Sequence, residues 1–302
     1  MKKRKILSLL LCIVMLLSVF SFVACDTEPE QEKAPADSTT NDNTGGDDDN
    51  TPPAPPADPE PQKPLETLQG KTIVWNGDSI CYGTSQYGNW ATRVAENNDM
   101  EDGTWKNYGV GGGTITEDLI YQSGNLRHSV CTTLEQMFLE FPYADYVILE
   151  GGTNDADLLG KITNGAHSSD FGHYDVDDFS GEYNTYTFCG ALETIFYNAK
   201  ELWPDAKICF IVAQKMGINT ATSDNRYAYF QAAMQICEKW GVPYLNLWDD
   251  CDLDPTNPEM YDPSKSAEEN EQAGSMYRDG QHLTAKGYDY TTAIIEAWLK
   301  SL

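Results

Sequence analysis

Four short polar clusters hold the residues whose types and spacing could do chemistry. They are Gly77-Asp78-Ser79-Ile80, Asn107-Tyr108-Gly109-Val110-Gly111-Gly112-Gly113-Thr114, Gly151-Gly152-Thr153-Asn154-Asp155 and Asp279-Gly280-Gln281-His282-Leu283. A serine hydroxyl is a weak nucleophile at neutral pH and needs a base within hydrogen-bond reach. Of the four histidines, His282 alone sits beside an acidic residue at a strand-to-helix junction, with Asp279 three residues earlier. In a tight loop or one helical turn that spacing lets the carboxylate orient the imidazole and stabilise the imidazolium. Acyl transfer also needs donors aimed at a developing oxyanion. The amide of Ser79, the amide of a glycine and the side-chain amide of Asn154 can supply three. Each part has a plainer use as well. Ser79 could cap a helix, the glycines could form only a tight turn, Asn154 could satisfy loop backbone, and His282 could be a surface residue. Their joint occurrence in one ordered set favours catalysis.

The elements that must position these residues are legible as five buried strands: 72–76, 105–110, 145–150, 207–213 and 243–247. Between most of them lie stretches of helical spacing, at 89–96, 130–140, 190–202 and 227–240, and a last helix over 284–302 closes the domain. Nearly all-apolar strands alternating with helices predict a parallel sheet covered on both faces. In such sheets ligands bind at the carboxyl ends of the strands. Three clusters follow strands, and the fourth precedes the final helix. Two irregular segments, 158–187 and 249–279, are expected to rim the site as long loops.

Taken in order, the four clusters resemble the signature blocks of the SGNH hydrolases, also called GDSL-type esterases and lipases, from Trp75 to Tyr288. The Gly-x-Asn-Asp and Asp-x-x-His blocks make the set specific. Ile80 stands where the motif's common name has leucine. The resemblance implies a three-layer α/β/α fold with a central five-stranded parallel sheet, flavodoxin-like in arrangement. It implies Ser79, Asp279 and His282 as the catalytic set, with Ser79, Gly112 and Asn154 forming the oxyanion hole. Aligning Asn107 and Thr114 with their family counterparts selects Gly112, with Gly111 the runner-up. Asp78 and Asp155 are expected to brace loops. Asp78 is also kept as a candidate substrate contact with Tyr183 and Tyr186, whose rings could stack on sugars or simply pack.

The rest of the chain bounds where such chemistry would act. Lys-Lys-Arg-Lys at 2–5, an apolar run over 6–23 and Ala24-Cys25 read as a lipoprotein signal peptide over 1–24, with Cys25 as the lipidated residue. The alternative is a retained N-terminal anchor, and both put the remainder outside the cytoplasm. Residues 25–64 are acidic and Pro-rich, with almost nothing apolar, and are expected to form a disordered tether. The folded domain then spans 65–302, a size suited to one α/β unit. It carries −22 of the chain's net −27, which argues against nucleic acid and anionic lipid as partners. Membrane contact is expected only through the lipid.

Eight cysteines show no zinc or CxxC spacing, so disulfides in this compartment stay open but their connectivity is not readable. His167, Asp170, His173, Asp175, Asp177 and Asp178 match no metal motif, and the glycine-rich block lacks the pattern of a P-loop or dinucleotide fingerprint. No cofactor or metal is expected. The polar loops favour removal of a short acyl group, acetyl above all, from a carbohydrate outside the cell. The alternatives are a lipase or thioesterase, an acyltransferase, or a glycan-binding lipoprotein without catalysis.

Overall fold

The middle strand of the sheet, β3 (Tyr146–Glu150), is buried along its whole length and carries the pairing on both sides. β1 (Ile73–Asn76) pairs with it on one edge and with β2 (Trp105–Asn107) on the other. β4 (Lys207–Val212) and β5 (Tyr244–Asn246) continue beyond β3. All pairs are parallel, and the five-stranded order is β2-β1-β3-β4-β5. The sequence-based expectation of a parallel α/β sheet is met. These are features of a computed structural model, which describes residues 64–84, 86–117, 128–158, 171–217 and 220–302. The expected leader, Cys25 and nearly all of the tether lie outside the described residues, as do His167 and Asp170.

Helices cover both faces because each strand of the sheet centre points apolar side chains both ways. On one face α2 (Trp90–Asn97) packs against the last helix, α9 (Ala285–Ser301). The Trp90 indole donates to Thr291 Oγ1 at 2.9 Å and meets the edge of Tyr288. On the other face α3 (Val130–Glu140), α5 (Phe188–Leu202) and α6 (Thr220–Trp240) pack in that order. Their caps follow from sequence: Asn89, Ser129, Thr187 and Thr284 each accept an amide from the first turn of the helix they precede.

Three shorter helices bear on the site: α1 (Ser79–Tyr82), α4 (Thr153–Leu158) and α8 (Ala267–Gln272), with α7 (Leu247–Asp250) after β5. The α8 helix lies inside a segment expected to be irregular. Its Ser266 and Glu269 form a reciprocal capping box, which is what lets a polar sequence start a helix there. The six cysteines of the domain (Cys81, Cys131, Cys189, Cys209, Cys237 and Cys251) are buried free thiols.

The order 2-1-3-4-5 reverses direction at β1 and β3, since β2 lies to one side of β1 and every later strand to the other. The crevice outside the carboxyl ends of that pair is the binding position in sheets of this kind. Ser79 follows β1 and Asn154 follows β3.

Candidate active site

The short helix α1 is capped by Asp78, whose Oδ1 accepts the Ile80 N–H at 2.8 Å. Ser79 is thereby relieved of a capping duty. Its Oγ lies 2.9 Å from His282 Nε2, across 203 positions of sequence. His282 Nδ1 lies 2.9 Å from Asp279 Oδ2. The other Asp279 oxygen accepts the amides of Gln281 at 3.1 Å and His282 at 2.8 Å, which closes the loop on itself. Gly280 turns the chain there at φ 78°, a conformation that a side chain would strain. Burial pushes the Asp279 carboxyl up. The hydrogen bond and charge of His282 and the two amides outweigh that and hold it at about 2. Asp279 is therefore anionic at any ordinary working pH and fixes the imidazole with Nε2 towards serine.

Asn154, an expected oxyanion donor, is tied to the Gly-rich turn. Asn154 Nδ2 donates to the carbonyl of Gly113 at 2.9 Å, which aligns its amide group and leaves that nitrogen a second N–H. The Gly113 N–H is committed to Val110 O at 2.9 Å, which removes Gly113 from the choice among the three glycines. Gly112 adopts φ 75° at the tip of this turn. The Gly-rich turn is tied to the nucleophile turn by the Val110 amide, which donates to Gly77 O at 3.1 Å.

Polar side chains brace these turns. Asn107 Nδ2 donates to Cys81 O while its Oδ1 accepts Gly109 N, both at 2.8 Å, so β2 ends at Asn107 rather than running on to Val110. The Tyr288 hydroxyl, from α9, donates to Ile80 O at 2.8 Å. Asp155 accepts the amides of Ile115 and Thr116 and the Thr116 hydroxyl, the bracing role its sequence position suggested. Asp78 is fully buried, so its carboxyl is a structural cap and not an exposed substrate contact, a correction to one of the two expectations for it.

The histidine loop is held from the β4 side. Gln214 Nε2 donates to Gln281 O at 3.1 Å, Gly217 N donates to Gly280 O at 2.9 Å, and the Tyr277 hydroxyl donates to Lys215 O at 2.6 Å. Arg226, on α6, is 5 % exposed and spans the site. It makes a two-pronged ion pair with Asp157 of α4, at 3.1 and 2.9 Å, and donates to Gln281 Oε1 at 2.8 Å. One guanidinium thus joins the helix bearing Asn154 to the loop bearing Asp279 and His282. Sequence reasoning passed over Arg226. A lone cation amid polar helix residues gives no signal until the fold brings Asp157 to it.

The structure does not bring Tyr183 to Ser79. Its hydroxyl donates to Asp178 O at 2.9 Å, and its ring meets Trp240 edge-on and lies beside Lys239. Phe188 and Phe230 flank Gly152 at the strand ends, whereas Trp240 lies ten residues further along α6, roughly 15 Å down the helix. The physical reason is the Lys239–Glu193 ion pair, which is almost wholly buried between α5 and α6. Segment 171–187 covers it with Phe179, Tyr183 and a backbone carbonyl. Tyr186 stays partly exposed next to Thr185, which bonds Glu117 through both backbone and side chain.

Residues 76–290 match the GDSL-like lipase/acylhydrolase family, and the chain belongs to it. It is an ester hydrolase. Solved structures share the fold at low identity. A Lactobacillus plantarum protein is 22 % identical with a TM-score of 0.55, the match covering 76 % of this chain and 97 % of that one. A protein described as a possible lipase from Chitinophaga pinensis is 17 % identical with a TM-score of 0.50, the match covering 75 % and 96 %. No curated protein matches the chain in sequence.

Proposed function

We propose that the chain cleaves carboxylic esters through an acyl-enzyme on Ser79, and that its substrates are short acyl esters, acetyl foremost, on carbohydrates outside the cell. The observation that carries the mechanism is the continuous 2.9 Å pair of contacts from Ser79 Oγ through His282 to Asp279. Ser79 Oγ attacks the ester carbonyl while its proton passes to His282 Nε2. The negative charge that appears on the carbonyl oxygen is met by N–H groups of Ser79, Gly112 and Asn154. His282 then returns the proton to the departing alkoxide, which leaves an acyl-serine. A water molecule, deprotonated by His282, attacks that ester, and the acid leaves with Ser79 restored. Asp279 stays ionised throughout and stabilises the imidazolium.

The short acyl group is supported by composition: the turns after β1, β2 and β3 are rich in glycine and polar residues, which offer little apolar surface to a long alkyl chain. The location is supported by the basic N-terminus, the apolar run and Cys25, which we read as the site of lipid attachment. The test is hydrolysis of p-nitrophenyl acetate and p-nitrophenyl decanoate, followed by acetate release from acetylated xylan and acetylated chitooligosaccharide. Faster turnover of the acetyl ester and acetate release from a glycan support the reading. Preference for the decanoate overturns the short-chain part. Incorporation of labelled palmitate that is lost in Cys25→Ser tests the anchor.

A further inference from the structure

The mechanism above makes no use of Glu150, a carboxyl at the end of the central strand that is 1 % exposed. Its Oε2 accepts the backbone N–H of Asp78 at 3.1 Å. A Cβ on Gly77 would stand 2.6 Å from Glu150 Oε2, so residue 77 must be glycine for the carboxyl to sit there. Glu150 therefore holds the Ser79 turn through the residue that precedes the nucleophile. Asp78, on that turn, uses Oδ1 to cap α1. The two remaining oxygens, Asp78 Oδ2 and Glu150 Oε1, are buried and lack a hydrogen-bond partner among the described residues. Glu150 Oε2 is bonded to the backbone of Asp78 itself, and the charge of Asp78 acts on the Glu150 carboxyl.

Two ionised carboxyls held close together out of water carry a desolvation and repulsion cost that the Asp78 and Ile80 amides offset only in part. One proton between them removes the repulsion and gives an orphaned oxygen its partner. We propose that Asp78 and Glu150 form one proton-sharing carboxyl pair, a positioning element that fixes the Ser79 turn and keeps a single negative charge behind His282. This rests on the reading of Ser79 and His282 as nucleophile and base.

Charge and burial divide the roles. Burial, reinforced by the charge of Asp78, pushes the Glu150 carboxyl well up. Burial pushes Asp78 up to about 6. The larger push falls on Glu150, which makes it the side of the pair that favours the proton. The titratable groups that face the pair are His282 from its loop, Asp155 from α4, Cys81 on α1 and Tyr288 from α9. Of these, His282 is the one that becomes cationic during catalysis, and the pair's charge favours that state.

The test combines infrared spectroscopy with pH–rate profiles on the full chain. At pH 7 the wild type shows a protonated-carboxyl C=O stretch that disappears in Glu150→Gln. That variant keeps the acceptor for the Asp78 amide, a donor for the Asp78 carboxyl and the pair's net charge. It therefore retains most turnover, and the acid limb of its kcat/KM profile stays at the wild-type pH. Asp78→Asn removes the charge and moves that limb to lower pH, while Glu150→Ala loses the hold on the turn and about 10²-fold in kcat. Absence of the stretch, or a limb in Glu150→Gln displaced as far as in Asp78→Asn, overturns the pair. The stretch reads the proton whether or not an ester is turned over, so inactivity with the stretch present overturns the esterase reading instead.

Discussion

The site has two halves built in opposite ways. The half bearing Ser79 and Asn154 grows directly from the ends of β1 and β3, and its supports are out of water: Asp78, Thr153 and Asp155 are fully buried and Glu150 nearly so. The half bearing Asp279 and His282 hangs on a loop whose two side chains are 46 % and 33 % exposed, held from beneath by the buried Gln214 at the β4 exit and by Arg226. The difference suits the tasks. A nucleophile and an oxyanion hole need fixed geometry against small displacements. A base that passes protons to alcohol and takes them from water needs access to solvent. Errors in the first half should therefore appear as lost transition-state stabilisation, and errors in the second as lost proton transfer.

If the halves act as one machine, removing either is about as damaging as removing both. Ser79→Ala and His282→Ala are each expected to lower kcat by roughly 10⁴–10⁶-fold, and the double variant to be no worse than the singles. Additive losses would break the account. Next in size is Asn154→Ala, expected to cost ~10²–10³-fold in kcat with little change in KM, because the lost donor serves the oxyanion. A rise in KM alone would make Asn154 a ground-state contact.

Arg226→Met tests the join between the halves. It should lower kcat by roughly 10- to 100-fold through misplacement of the His282 loop, without touching the reacting atoms. The smallest effect concerns stability in acid. Folding depresses the Asp279 carboxyl from 3.8 to about 2, so its contribution is present above pH 3.8 and is lost as pH falls through about 2. The melting temperature of Asp279→Asn should lie below wild type at pH 6, with the gap closing towards pH 2. A constant gap would mean that ionisation of Asp279 is not the cause.

The two halves also differ in how far they can be read from sequence. The nucleophile side is legible because strand ends are legible: apolar runs give β1 and β3, and the polar clusters follow them. The histidine side is found only through its motif, since nothing in a Pro- and Asp-rich segment says that Asp279 and His282 return to β1. The aromatic segment 171–187 has the same loop-like composition, yet its Tyr183 serves to cover Lys239 and Glu193. Composition alone does not separate a binding loop from a packed one. Helix α6 begins at Thr220, a turn or more before the apolar spacing that starts near Tyr227. Its first turns are polar and tied to α4 by Asn225 and Arg226, and tertiary hydrogen bonds leave no periodic trace. Glu150 did leave a trace, an acidic residue ending an otherwise apolar strand, and an acidic side chain buried there implies a partner.

The central claim is that Ser79 is a nucleophile activated by His282. The most direct measurement is covalent trapping with a fluorophosphonate, read by peptide mass spectrometry. The account predicts one adduct, on the peptide carrying Ser79, which is absent in Ser79→Ala and formed far more slowly in His282→Ala. A folded, ester-cleaving chain labelled at another residue, or labelled at the same rate without His282, would contradict it.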